Sequence, residues 1–297
     1  MDDIFNLNLD DFKPEEKKAT RADLYKPDPK GAPGQVYKAI IRFVPNINDA
    51  RENIVRTVKY WLTEGDSGFY ADCPSSIGEK SIISDTYWKL KKSNSAYDQK
   101  NAELLARKEN WYSYIYVVKD FQNPALDGTI QVFRFPKTLY KMIQSELTPD
   151  EMAMAEGKQP VNVFDLFKGK DFQLQVRIKA GYNNYDLCKF AGTPSAITIG
   201  GVQMKPDTAS KEAIKALYPA TLQPLSDFKY QPWTPDLKTR VLDYLSKLTN
   251  GAISAPADEA PEAPVNEELR GQQLVNESGA SSGAAPESDL DAWLSGK

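Results

Sequence analysis

The chain has 297 residues, of which 41% are hydrophobic, enough for a buried core in one or two domains. It contains no histidine and two cysteines, which excludes Ser-His-Asp and Cys-His catalysis and any Cys/His zinc site of ordinary makeup. Its net charge of −4 is uneven: residues 1–16 carry −5, residues 251–297 carry −7, and the body between is left at +8, a cation flanked by acidic arms that compete with an anionic ligand or recruit partners.

Taken in order, the chain opens with MDDIFNLNLDDF, in which acids alternate with Ile4, Phe5, Leu7, Leu9 and Phe12. That segment is too short to fold alone and reads as a docking arm. A Pro- and Gly-rich linker from Lys26 to Gly34 separates it from the body. Tyr37 to Val44 reads as a buried strand in which Arg42 is either paired or lines a groove, because burying a lone cation is expensive. Asn53 to Leu62 is a second strand, with Arg56 and Lys59 among its polar positions and Tyr60 and Trp61 as core packing. From Ser75 the pattern is irregular, then helical from Tyr97 to Lys108 around Leu104 and Leu105. Arg107 and Lys108, just before an aromatic strand, are candidates for phosphate contact.

That strand, Trp111 to Val118, reads WYSYIYVV. Alternation puts Trp111, Ser113, Ile115 and Val117 on one face and Tyr112, Tyr114, Tyr116 and Val118 on the other. A core needs one such face. For the second, two readings stay open: a platform on which nucleobases stack, or packing against the helical subdomain that precedes the strand. A turn near Asn123 to Gly128 closes a hairpin onto Thr129 to Phe135, where Arg134 stands between Phe133 and Phe135. Leu139 to Leu147 predicts a helix, and Thr148-Pro149-Asp150-Glu151 predicts a second, with Thr148 as its cap.

Phe172 to Phe190, FQLQVRIKAGYNNYDLCKF, draws these features together. Phe172, Leu174, Val176 and Ile178 form a buried face, which leaves Arg177 and Lys179 on a wet, cationic side. After Gly181, a turn carries Tyr182 and Tyr185 around two asparagines. Flat rings beside positive charge are what an unstacked base and its phosphates require. Two further helices are predicted, Ala209 to Leu217 and Pro235 to Leu248, the second capped by Thr234. The last segment, Gly251 to Lys297, is rich in Ala, Pro, Glu and Ser, a composition that predicts disorder. Near its end Leu290, Trp293 and Leu294 fall at helical spacing among acids, and the tryptophan favours a partner-docking peptide over a plain solubilising tail.

Several segments match a known pattern in order. They are AIIRFVP at Ala39 to Pro45, Trp111 to Asp120 ending in VVKD, VFRF at Val132 to Phe135, and Gly-aromatic-x-Asn-Tyr-Asp-x-x-Lys-Phe ending at Phe190. Together they resemble the single-stranded DNA-binding (helix-destabilising) proteins of T4-type bacteriophages over roughly Tyr37 to Phe190. The resemblance implies an α+β chain: an oligonucleotide-binding (OB) fold β-barrel with an inserted helical subdomain and flanking helices. Its implied layout is an arm and linker at 1–34, a DNA-binding core at 35–250 and an acidic tail at 251–297. The implied function is coating of single-stranded DNA, largely without sequence preference, during phage replication, recombination and repair. It places the protein in the cytoplasm of an infected bacterial cell, consistent with the lack of a membrane-spanning apolar run.

Phosphates are then expected along Arg42, Arg107, Lys108, Arg134, Arg177 and Lys179, and bases on some of Trp111, Tyr112, Tyr114, Phe133, Tyr182 and Tyr185. Lys17, Lys18, Thr20 and Arg21 resemble the family's basic motif for contact between neighbouring protomers, although here an acidic extension precedes it, and a solvated charge cluster is the alternative. In the family the acidic tail recruits replication and recombination proteins. The family also binds zinc through one His and three Cys; of these only Cys73 survives, and Ile83-Ser84-Asp85-Thr86 stands where a Cys-x-x-Cys pair is expected, so no metal or other cofactor is expected. No phosphate-binding loop or dinucleotide motif points to an enzyme. The alternative function is a replisome adaptor that binds partners through its acidic arms without binding DNA.

Overall fold

The computed structural model describes residues 24–49 and 51–249. The expected protomer-contact residues Lys17, Lys18, Thr20 and Arg21, and the tail anchors Leu290, Trp293 and Leu294, lie outside the described residues. In chain order the elements are β1 (Leu24–Tyr25), β2 (Val36–Val44), β3 (Val55–Glu64), β4 (Ser67–Asp72), α1 (Ile82–Lys91), α2 (Ala96–Leu104) and β5 (Arg107–Asp120). Then come β6 (Ile130–Phe135), α3 (Lys137–Leu147), α4 (Glu151–Ala155), β7 (Asp171–Lys179), β8 (Tyr182–Asn184) and β9 (Lys189–Phe190). β10 (Thr198–Ile199), β11 (Val202–Gln203), α5 (Thr208–Ala216) and α6 (Pro235–Leu248) complete an α+β chain.

β5 is the common member of the main sheet. Its first half pairs with β3, from Tyr60 opposite Arg107 to Val55 opposite Tyr112. Its second half pairs with β2, from Val44 opposite Tyr114 to Ala39 opposite Asp120. Its other edge takes β6, and all three pairings are antiparallel. β2 pairs in turn with β7, which carries both β8 and β9, while β1 runs parallel to β6 at the far end. β7 and β8 are joined by Ala180 and Gly181, with φ of 51° and 82°, a two-residue turn of positive φ that matches strand twist.

The alternation in the sequence separates two cores. Trp111, Ile115 and Val117 of β5 join Ile41, Phe43, Phe133, Phe135, Phe172, Leu174 and Val176 in one. Tyr112, Tyr114 and Tyr116 join Val44, Val55, Ile130 and Val132 in the other, which Ile197, Ile214 and Leu225 close from above. A third cluster packs α1, α2 and α6 on β3 and β4 through Leu62, Phe69, Ile83, Ala102, Val241 and Leu245. At the end of β5, the buried Asp120 accepts hydrogen bonds from the Tyr25 and Tyr37 hydroxyls and, on its other oxygen, from the Gln122 and Asn123 amides. That carboxylate ties β1, β2 and the β5–β6 turn together with every lone-pair direction used.

Three element boundaries differ from the sequence reading. The helix expected to reach Lys108 ends at Leu104, and Arg107 and Lys108 already belong to β5, where they pair with Tyr60 and Lys59. α1 was not expected; Ser81 caps it by accepting from the Ser84 amide, and Ile83, Thr86 and Leu90 supply its buried stripe. Thr148 closes α3 instead of starting α4, whose cap is Asp150, accepting from the Ala153 amide. α6 matches the expected span and its Thr234 cap.

The end of α3 is pinned electrostatically. Glu146 accepts from Lys170 at 2.7 Å and lies 3.0 Å from the Lys158 ammonium. Burial pushes its carboxyl up, but the two ammonium groups outweigh burial and hold it below the ordinary glutamate value. A carboxyl depressed on folding contributes stability above its unfolded pKa of about 4.3 that is lost as pH falls through the folded value. We therefore expect the urea midpoint to fall more between about pH 6 and about pH 3 in the wild type than in Glu146→Gln. Equal falls would remove this group from the acid response.

Candidate nucleic-acid interface

The two ends of the sheet approach each other. Leu24 and Tyr25 from β1 with Lys26 just after it, Arg134 and Phe135 from β6 with Pro136 just after it, Asn110 from β5, and Asn183 and Tyr185 from the β8 segment line one cleft of 180 Å³. The cleft brings together two expected contact residues, Arg134 and Tyr185, that lie 51 positions apart. Arg134 is exposed and sits in register opposite Tyr112. Tyr185 is half-buried, with its ring packed against the first core, and burial pushes its phenol up. Lys179 and Tyr182 face each other across the β7–β8 turn, both exposed, and Tyr182 is 79% accessible. Arg177 is half-buried between Val36 and Asn184, and its Nε has no hydrogen-bond partner among the described residues.

A basic run continues along the start of β5. Lys108 stands directly opposite Lys59, and Arg107 opposite Tyr60. Like charges facing across a ladder repel, and Asp72 relieves one of them by pairing with Lys59 at 3.3 Å. Burial raises the Asp72 carboxyl against that pull. Arg56 is likewise taken by Glu109 at 2.7 Å. Arg107 and Lys108 are exposed and have no carboxylate within ion-pair distance among the described residues. Arg107, Lys108, Arg134 and Lys179 thus present cations to solvent, Arg134 beside Tyr185 and Lys179 beside Tyr182.

Other expected contacts are turned inward. Arg42 is fully buried: it pairs with Asp171 at 3.1 Å and donates to the Asp165 and Ser195 carbonyls, so its charge is spent inside the protein. Gly169 makes room for it, since a Cβ there would sit 2.4 Å from the Asp165 carbonyl oxygen and 3.1 Å from the Arg42 guanidinium. Of the two readings open for Arg42, the paired one holds. Trp111 is buried and stacks on Tyr140 at 5.0 Å, and Phe133 has no accessible surface. Tyr112 stacks on Phe228 at 4.2 Å and 14°, and Tyr114 donates to the Gln223 carbonyl. The second face of β5 is therefore packed, and the covering segment is 197–228 instead of the inserted helices. None of Trp111, Tyr112, Tyr114 and Phe133 has a ring face free for a base. Lys26, Asn110 and Asn183, which line the cleft, were missed; Lys26 lay in what reads as a linker, and nothing in an isolated asparagine marks it.

A more voluminous concavity lies elsewhere, 760 Å³ between α3 and β9, lined by Lys137, Lys141, Lys189 and Phe190. It is cationic, but Phe190 packs on Phe172 and Phe43, which leaves no exposed ring for a base.

Zinc has no fitting ligand set at the place where the family holds it. The Cys73 thiol meets the Tyr60 hydroxyl at 3.0 Å and Ser75 at 2.9 Å, and the Tyr60 hydroxyl also meets Ser81 and Ser84. Burial and the thiol push the Tyr60 phenol up to about 12, so it stays neutral. Ile83 is buried where a thiolate is expected, and Cys188 belongs to the other core. One thiol among neutral hydroxyls does not make the four-donor set that a structural zinc needs.

Comparison with known proteins adds to this geometry. A family profile described as gp32 DNA binding protein like matches residues 36–230. The single-stranded DNA-binding proteins of Enterobacteria phage T4 and Enterobacteria phage T2 are each 28% identical over 153 residues, 52% of this chain and 50% of theirs. The chain thus spans about half the length of the curated relatives it matches.

Two outcomes are expected. Arg42→Ala should destabilise the fold by up to about 3 kcal/mol, since it strips a buried partner from a carboxylate that water still reaches. Its thermal midpoint should fall, while the fraction that remains folded binds nucleic acid as before. A stable variant with weakened binding would return Arg42 to the interface. Metal analysis after dialysis should find far less than one zinc per chain, with a melting curve indifferent to chelator; one retained zinc would contradict the ligand argument.

Proposed function

Because the chain belongs to the gp32 DNA binding protein like family, we propose that it binds single-stranded DNA with little regard to sequence. The strand would run along the basic edge from Arg107 and Lys108 to Arg134 and Lys179, with bases stacked on Tyr182 and Tyr185. This is a family of single-stranded DNA-binding proteins and not of enzymes, and the relatives are named accordingly. The observation that carries the reading is the cleft at the meeting ends of the sheet, where Lys26, Arg134 and Tyr185 converge. Cations hold phosphates without reading sequence, and rings accept any base because every base has a π-face. Duplex DNA keeps its bases stacked inside, so binding that needs free base faces selects the open strand.

The same approach of β1 and β6 toward β8 supports an OB-type barrel, closed by side chains across the cleft. In this reading the cell biology is that of coating exposed strands in phage replication, recombination and repair in the host cytoplasm. Within residues 1–34, Lys17, Lys18, Thr20 and Arg21 would serve contacts with neighbouring protomers, while Lys26 would join 35–250 on the DNA. The acidic segment 251–297 would dock replication and recombination partners through Leu290, Trp293 and Leu294.

The test is a fluorescence titration with poly(dT) across a salt series, alongside duplex of the same length. Affinity should favour the single strand and fall as salt rises; each of Arg107→Ala, Lys108→Ala and Arg134→Ala should lessen the log–log slope by about 0.7 per lost phosphate contact. Tyr182→Ala or Tyr185→Ala should cost about 1 to 3 kcal/mol for a genuine stack. No binding at low salt, with residues 251–297 present or removed, would leave the adaptor function in its place.

A further inference from the structure

α1 buries Ile83, Thr86 and Leu90 on one stripe, which fixes the helix on the third core. Trp88 lies off that stripe and is 57% exposed. Its neighbour Tyr87 meets it at a near-right angle, 5.0 Å between centroids and 81° between planes, so the two rings are not stacked on each other. A large ring in water gains nothing for the fold, and none of the described packing requires it. The residues around it form a concavity of 260 Å³, lined by Tyr60, Ser84, Tyr87, Trp88, Leu105, Ala106 and Arg107. That is below the roughly 300 to 1,000 Å³ of sites for drug-sized ligands, on the scale of one flat ring system. Leu105 and Tyr60 are buried beneath it, and Arg107 lines it while remaining open to solvent. The Tyr60 and Ser84 hydroxyls, bonded to each other, bring polar atoms into an otherwise apolar lining.

We propose that this concavity takes one unstacked nucleobase on the face of Trp88, with the adjoining phosphate on Arg107. The inference rests on the single-stranded DNA reading and adds a second base site to it. In the sequence Tyr87 and Trp88 read as apolar packing in place of the zinc; Tyr87 does pack on the third core, whereas Trp88 stands exposed. The first site, at Tyr185 and Arg134, shares its cleft with Asn110. Arg107 and Asn110 are three residues apart on β5, about 10 Å at strand rise, and alternation turns them to opposite faces, with Lys108 on the face of Asn110. The two ring sites therefore lie on either side of the basic start of β5, and a strand that reaches both crosses that edge with its backbone held at Arg107 and Lys108. The polar atoms of Tyr60 and Ser84 are neutral and satisfied by each other, which fits stacking without strong choice of base.

The experiment uses the full chain with Trp88→Ala and Trp88→Phe, titrated with oligo(dT) across a salt series by anisotropy of labelled DNA and by intrinsic fluorescence. Because Trp88 is exposed, both variants should melt like the wild type. Trp88→Ala should lose about 5- to 150-fold in affinity. Its salt slope should not change, since no phosphate contact is removed. Trp88→Phe, which keeps a ring, should recover most of the affinity yet lose a large share of the DNA-dependent quenching. Wild-type affinity and quenching in Trp88→Ala, with single-strand preference intact, would overturn the Trp88 site and leave the DNA-binding reading standing. Absence of binding by the wild type itself would overturn both.

Discussion

From Trp111 to Tyr116, β5 has both faces buried and both edges paired, and the rest of the described chain is arranged by that constraint. Alternation along Trp111–Val117 feeds one core with a tryptophan and aliphatics and the other with three tyrosines. Each tyrosine needs cover for its ring and a partner for its hydroxyl. Residues 197–228 supply cover for that face: Phe228 stacks on Tyr112, and the Gln223 carbonyl accepts from Tyr114. Tyr218, edge-on to Tyr114, donates to the Pro45 carbonyl and so fastens the covering segment to the end of β2. Arg42 completes the closure from the side, holding the Ser195 carbonyl where that segment begins. A strand occupied in this way cannot also be a platform for bases. The proposed DNA path therefore follows the edges.

Those edges are chemically distinct from the sheet's interior. Asp120, Asp171 and Glu146 meet buried hydroxyls or cations and are internally matched. At the start of β5, by contrast, Lys59 and Lys108 face each other with a single carboxylate between two charges. Repulsion of that kind is relieved by an anion, and a polyanion relieves several such sites at once with release of its counterions. The charge of +8 on residues 17–250 is the long-range form of the same imbalance, and the acidic segments at 1–16 and 251–297 oppose it.

How much of this was legible in the sequence follows from the range of each interaction. α6 was readable because its cap and its leucine stripe are local, and the same holds for the alternating faces of β5 and β7. What covers the tyrosine face was not, because 197–228 packs through scattered rings and loop carbonyls with no period of its own. Arg42 posed a choice between partner and ligand that sequence alone leaves open, since its partner lies 129 positions away. The boundary after α2 was missed because Arg107 and Lys108 suit a helix end as well as a strand edge; pairing with β3 decides it. Cys73 shows the reverse: the missing ligands were plain in the composition, whereas the hydroxyl network of Tyr60, Ser81 and Ser84 that surrounds the remaining thiol is a matter of side-chain geometry.

The central claim is that single-stranded DNA lies along the edge from Arg107 to Arg134 and Lys179, and not on the broad aromatic face of β5. Photocrosslinking with halogenated-uracil oligonucleotides, followed by peptide mapping, tests it most directly because the reaction marks rings in contact with bases. The account predicts adducts on Trp88, Tyr182 or Tyr185. Adducts concentrated on Tyr112, Tyr114 or Tyr116 would contradict it, since those rings would have to shed residues 197–228 before a base could reach them.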